Sequence, residues 1–406
     1  MSGSVRASRH GVCAGFTLIE MLVATTIMLA VTAGVFAVIA PTRMAFQAQP
    51  EAADMQQRMR AAVDTLRNDL LAAGAGPTAP STVRGPLLRF VAPVMPYRFG
   101  RDRGDPASGV FYRTNAISIL SVPFTTAEGR ITAARGAGGA IEVDVAPNCG
   151  AGPIPDRLCG FQRDMRALLV TAAGVFDTAT ITSVAGLTLQ LDANVGPAAF
   201  GDGSATIAEI AMHTYYLKAD PQTNTFQLMH YDGGVADFPV IDNVVALRFA
   251  YYGDPMPPAL LPGVDLNDRA AGPWTTYGPR PPPPMRDDLN DAWPAGENCV
   301  FAVVDGAHVS RVGALVANAG SLALLPPALL TDGPWCPDDA SPWRFDADLL
   351  RVRQVRVMLR VQVGSAALRG PAGVLFTRGG TADAGRWIPD QEVEFDVSPR
   401  NLNSGR

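Results

Sequence analysis

The chain has 406 residues, 48% of them apolar, and a formal net charge of −5 at neutral pH. That length suffices for a large core and for two or three modules beyond any terminal segment. The acidic balance excludes the basic footprint of a strong nucleic-acid backbone binder. The five cysteines include no Cys-x-x-Cys, and the four histidines, His10, His213, His230 and His308, are scattered without ligand spacing, so no metal is expected.

Residues 1–15 are short, with Arg6, Arg9 and, when protonated, His10 as their only charged side chains. From Phe16 to Ala40 the sole ionisable side chain is Glu20, and these 25 residues as a helix extend about 37 Å, enough to cross a hydrocarbon core of about 30 Å. A secretory signal has its apolar stretch inside the removed peptide, followed by a small-residue cleavage site. Here the apolar run comes after Gly15 and nothing like Ala-x-Ala succeeds it, so the run is expected to stay on the mature chain as a single-pass anchor. The basic leader keeps the N-terminus cytoplasmic and places the chain beyond Ala40 outside. Glu20 needs a partner in such a helix, because a carboxylate is costly in lipid.

Gly15-Phe16-Thr17-Leu18-Ile19-Glu20, with a basic leader before it and an apolar helix after it, resembles the prepilin signature of the type IV pilin superfamily. The resemblance implies cleavage between Gly15 and Phe16 by a prepilin peptidase and N-methylation of Phe16. It also implies an assembly role for Glu20, paired with the N-terminal ammonium of a neighbouring subunit in a helical filament. Opposite charges at low dielectric offset each other's burial cost. The plainer alternative is a signal anchor with Glu20 at the headgroup level.

Cys13 would leave with the leader, and an oxidising compartment makes disulfides the natural state of the other four. The simplest pairing is Cys149 with Cys159 and Cys299 with Cys336, although four cysteines permit three connectivities.

Beyond the anchor, Pro41 and Pro50 are expected to interrupt or kink the helix, with Pro50 opening a new stretch near Glu51. Met55, Met59, Val63, Leu66 and Leu70 then form an amphipathic stripe suited to packing on a sheet, ended by Gly74, Gly76 and Pro77. From about residue 110 the period changes to two. Ile117 and Ile119; Ile141, Val143 and Val145; and Leu187, Leu189 and Leu191 read as half-buried strands. Ile207 to Lys218 and Thr225 to Tyr231 read as a strand pair around a turn at residues 220–224. Another strand carries Val245, Leu247, Phe249 and Tyr251.

Residues 254–348 break this pattern with Pro257, Pro258, Pro273, the run Pro279 to Pro284 and several tryptophans. They read as an inserted module whose proline run is a stiff, solvent-exposed connection. Strand pattern returns with Val355, Val357, Leu359, Val361 and Val363, and again with Val393, Phe395 and Val397. Arginines on the former and acids on the latter are placed to pair across an antiparallel ladder.

No catalytic constellation emerges. Gly-x-Ser-x-Gly is absent, and Gly136-Ala137-Gly138-Gly139 lacks the lysine of a phosphate loop. His308 beside Asp305 reads as an ordinary polar pair. Neither Asp265, Asn267 and Asp268 nor Asp338 and Asp339 follow the twelve-residue calcium pattern. No enzyme activity and no cofactor are expected.

Tyr215-Tyr216-Leu217, Asp232-Gly233-Gly234, Asp242-Asn243-Val244 and the closing Pro399-Arg400-Asn401-Leu402-Asn403 resemble PilW-like minor pilins. The expected fold is α+β, a long N-terminal helix packed on an antiparallel β-sheet head of pilin-like form with an irregular insertion. Its parts are a leader (1–15), a transmembrane and assembly helix (16–40), its amphipathic continuation (41–76), a β-rich head (77–253), the insertion (254–348) and closing strands (349–406).

The resemblance implies a structural subunit that primes pilus assembly at the tip. Its partners would be prepilin peptidase, other minor pilins, the major pilin and the inner-membrane assembly platform. It would wait in the inner membrane with its head in the periplasm and move to the pilus or cell surface, where twitching and adhesion are exercised. A minor pseudopilin of a type II secretion system uses the same anchor. A membrane-anchored adhesin using residues 254–348 is the reading from a different class.

Overall fold

The computed structural model describes residues 15–77, 85–99, 112–124, 127–135, 139–145, 160–171, 174–192, 200, 203, 205–221, 225–234, 237–267, 272–282, 293–316, 320–338, 341, 343–369 and 388–403. Residues 1–14, with Cys13, and the pair Cys149 and Cys159 lie outside them, as do Asp268 and Asp339.

One α-helix, α1 (Leu18–Ala72), runs for 55 residues and is unbroken at Pro41 and Pro50, where an interruption was expected. Each proline removes one backbone donor and costs about 3 kcal/mol in a helix interior. The flanking residues, rich in alanine, methionine and glutamine, are strong helix formers, and the outer half is held by tertiary packing. The inner half, Leu18 to Ile39, is not buried at all. The outer half buries Met55, Met59, Ala62, Leu66 and Leu70. Ala62 is fully buried and Val63 only partly so, which moves the stripe's centre one position from the expected one.

The helix stops at Gly74, whose φ of +79° favours glycine. A Cβ at Gly74 would lie 2.7 Å from Leu402 Cδ2, so the closing residues of the chain seat against the helix end.

The strands are β1 (Val94–Met95), β2 (Ala116–Ser121), β3 (Glu128–Arg135), β4 (Ala140–Val145), β5 (Arg166–Val170), β6 (Phe176–Ala185), β7 (Thr188–Leu191), β8 (Thr206–Glu209), β9 (Ala211–Asp220), β10 (Thr225–Tyr231), β11 (Asp237–Gly253), β12 (Phe301–Val304), β13 (Ala307–Ser310), β14 (Ala323–Leu325), β15 (Trp335–Cys336), β16 (Phe345–Asp346), β17 (Val352–Val361) and β18 (Gln391–Val397).

An antiparallel sheet in the order β1-β2-β9-β10-β11-β17-β18 carries α1, with β14 added beside β11. The helix touches β2, β11, β17 and β18. Val355, Val357, Leu359 and Val361 are fully buried, as their alternation demands. On the opposite face Arg356 bonds Asp396 at 2.8 Å and approaches Glu394 at 3.3 Å. Arg360 lies opposite Glu392 in the register but turns to the buried Asp390 at 2.7 Å.

Between β2 and β9 the chain builds a second body, a closed barrel in the order β3-β4-β7-β6-β5-β8. It has its own core of Ile131, Ile141, Val143, Leu169, Ile181, Leu189 and Ile207. The single strand expected from Ile207 to Lys218 is therefore two strands. β8 closes the barrel and β9 enters the main sheet, with the break at Ile210, whose N–H bonds Arg166 O at 3.0 Å. β8 is buried at Thr206, Ile207 and Ala208 whereas β9 has exposed and buried positions, yet the two run on as one extended, largely apolar stretch in sequence, so periodicity alone does not reveal the change of sheet.

The proline run also departs from expectation. Pro279, Arg280, Pro281 and Pro282 are buried, not solvent-exposed. The Arg280 guanidinium lies over the Trp274 ring at 4.9 Å and donates to Leu266 O. An arginine within a proline run buries only when its charge and donors find partners, and here aromatic and carbonyl partners supply them. Around this run Val300, Phe301, Leu325, Leu330 and Phe345 join the core shared with the sheet. Cys299 and Cys336 form a disulfide with a Cα–Cα distance of 5.2 Å.

Candidate assembly segment

The N-terminal end of α1 is built by three residues. Thr17 has extended backbone (φ −78°, ψ 151°) and caps the helix. Its hydroxyl accepts the Glu20 N–H at 3.3 Å, while Glu20 Oε2 accepts the Thr17 N–H at 2.9 Å and the Thr17 hydroxyl at 2.8 Å. This is a capping box, and an acid in the first turn also suits the helix dipole. The sequence reading assigned Glu20 a role between subunits and missed this local one. The Thr-x-x-Glu spacing was the signal for it.

Gly15 and Phe16 precede the first helical turn. A Cβ at Gly15 would meet no heavy atom within 4 Å, and Phe16 is 88% exposed. The peptide bond between them is therefore exposed and lies outside the helix.

Past the cap, Leu18, Ile19, Met21, Leu22, Val23, Ile27, Met28, Leu29, Val31, Val35, Phe36 and Val38 are all at least half exposed, on every side of the helix. The threonines within this segment satisfy their own hydroxyls: Thr25 and Thr26 donate to Leu22 O, and Thr32 donates to Met28 O at 2.7 Å. A helix that keeps its polar donors on its own carbonyls suits an apolar medium. It is long and apolar enough to cross a membrane.

The outer half of the helix is tied to the head by polar contacts as well as by its stripe. Glu51 Oε2 accepts the N–H groups of Gly364 and Ser365 at 3.1 and 3.2 Å, and Arg58 donates to Asp242 O at 3.0 Å. Tyr215 OH donates to Asp69 Oδ2 at 2.5 Å, and burial beside that carboxylate pushes the phenol far above its usual range. Glu20 and the disulfide are not brought together: Glu20 lies in the free half of the helix, and Cys299–Cys336 lies in the head.

Two features of the head escaped the sequence reading. His213 and His230, treated as scattered, meet across β9 and β10. Asp332, Asp346 and Asp348 converge, with Asp346 and Asp348 buried. Burial pushes the Asp346 carboxyl up to about 7, against the backbone N–H groups of Asp348 and Gly333 that favour its charged form. His308 bonds Gly296 O at 3.0 Å, and Asp265 accepts the backbone N–H of Asn267 at 2.8 Å, so each has an ordinary structural role.

No curated protein and no solved structure matches the chain. Residues 12–36, which contain Gly15, Phe16, Thr17 and Glu20, match the family described as Prokaryotic N-terminal methylation motif. The chain thus carries the type IV prepilin-like signal on an N-terminal apolar helix.

Proposed function

We propose that the chain is a minor type IV pilin of the PilW-like kind, a structural subunit that primes pilus assembly and takes a place in the tip complex. One observation carries this reading: the helix bearing the methylation motif is bare on all sides from Leu18 to Ile39, while the same helix is locked into the head from Met55 to Leu70. Such a helix transfers from lipid to a bundle of like helices without loss of apolar burial, carrying the head with it. Before assembly the head occupies the periplasm, and after assembly it lies on the pilus. Prepilin peptidase cuts after Gly15, and the new Phe16 amino group is methylated. Major and minor pilins and the assembly platform are its partners, and the subunit has no catalytic role.

Cleavage alters the local chemistry of Glu20. In the precursor its carboxylate is held by Thr17, and in the filament the same oxygen is offered to the amino terminus of a neighbour. Glu20→Gln separates the two roles, since an amide oxygen still accepts the Thr17 N–H but carries no charge. Charge pairing predicts that Glu20→Gln is processed and inserted normally yet fails to complement a minor-pilin deletion, as Glu20→Ala does. A fully piliated Glu20→Gln strain would remove the pairing role. A mature N-terminus mapped away from Phe16 would defeat the pilin reading itself. Loss of surface pili with intact protein secretion distinguishes this subunit from a minor pseudopilin of a type II system.

A further inference from the structure

We infer that Asp69, His213 and His230 form a binding site for a divalent transition metal of the zinc class, which clips α1 to the head sheet. The register of the β9–β10 hairpin sets Tyr215 opposite His230. His213, two residues from Tyr215, therefore shares that face and sits diagonal to His230. The two imidazoles stack with centroids 5.0 Å apart and planes 20° apart, and His213 Nδ1 lies 2.8 Å from His230 Nε2. Helix α1 crosses the same face in its last turn and brings Asp69 Oδ2 to 3.5 Å from His213 Nδ1. All three donor atoms lie within 4.8 Å of one another.

In a tetrahedral site with metal–ligand bonds of about 2.0–2.1 Å, donor atoms are separated by roughly 3.3 Å. The separations of 2.8 and 3.5 Å bracket that value. Two imidazole nitrogens and one carboxylate oxygen suit zinc or a neighbouring transition ion, whereas calcium and magnesium require oxygen ligands. Tyr215 donates its hydroxyl to Asp69 Oδ2, the outer-shell bond that fixes a ligating carboxylate. His213 and Asp69 keep 30% and 23% of their side-chain surface exposed, which gives an ion an approach and a water a fourth position. Asp232 adds a negative charge on the same hairpin.

Without metal, one imidazole N–H donates to the other ring. Metal binding needs both lone pairs, so that proton shifts to the far nitrogen of its own ring, and neutral rings release no net proton.

The test uses the full chain in detergent, stripped with a chelator and titrated with Zn²⁺ alone. The expected result is one ion per chain, affinity weakened by about tenfold in Tyr215→Phe, and binding lost in the His213→Gln/His230→Gln double variant. Zinc should also slow amide exchange of residues 66–72 in the unaltered chain, because a ligand of the docked state alone stabilises that state. No uptake by the unaltered chain, or equal affinity in a double variant of unchanged circular dichroism, overturns the site. If the double variant fails to fold, the unaltered chain still decides, since zinc that leaves exchange of residues 66–72 unchanged is not held between helix and sheet.

Discussion

Among the described residues Arg351 is the largest fully buried side chain, and its replacement should loosen residues 254–348 from the sheet. Its Nε pairs with Asp348 Oδ1, Nη1 donates to Asp254 O at 3.0 Å and Met256 O at 3.2 Å, and Nη2 donates to Gly313 O. The guanidinium therefore joins the start of the segment, its middle and its end. Arg351→Met fills similar volume but strands the Asp348 carboxylate, which costs about 3–5 kcal/mol for a broken buried pair. The three carbonyls lose donors worth about 1 kcal/mol each, not fully additive with the first loss. A total of roughly 5 kcal/mol is comparable to the whole stability of a small domain, so the segment should open locally.

Hydrogen exchange read by mass spectrometry on peptides covering β12 and β14 measures that opening. The penalty should shrink as pH falls: burial raises the Asp348 carboxyl, Arg351 holds it down, and without Arg351 it rises further, takes up a proton and no longer needs its partner. Adding Asp348→Leu to Arg351→Met should recover at least part of the loss. Unchanged exchange in Arg351→Met, or a double variant no better than the single one, would refute this account of the clamp.

Three further outcomes are expected. Leu66→Ala, at a fully buried helix position, should cost about 2–5 kcal/mol and speed proteolysis between helix and head. Leu22→Ala, 60% exposed, should leave head stability unchanged, and equal effects of the two would contradict the division of the helix. Breaking Cys299–Cys336, separated by 37 residues, should cost about 4 kcal/mol by loop entropy, seen as a lower denaturation midpoint under reducing conditions. For Asp346 the folded carboxyl titrates near 7 and the ordinary value is 3.8. Between those values the folded chain binds a proton that the unfolded chain releases, so stability falls as pH rises through the window, by up to about 1.4 kcal/mol per unit. Denaturation midpoints measured from pH 4 to 7 should show this slope, with a smaller one in Asp346→Asn.

Local chemistry was legible from the residues alone. A glycine-phenylalanine junction before an apolar run, with one acid in the first turn, identifies the anchor because its spacing is short-range and its burial depends on composition. Strand periods at 211–231 and 352–361 and the pairing of Arg356 with Asp396 follow from alternation, which repeats every two residues whatever surrounds it. Several outcomes were settled only in three dimensions. The helix continues through two prolines because flanking residues of high helix propensity carry it and its outer half is held by packing on the sheet. A continuous strand-like run breaks at Ile210 into two separate sheets, and Pro279 to Pro282 go inside because Trp274 and Leu266 meet Arg280 there. His213 and His230 become neighbours of Asp69 because hairpin register and helix crossing bring together residues up to 161 positions apart in sequence. Alternation says which side chains share a face but not which sheet carries that face or what crosses it, and those relations are long-range.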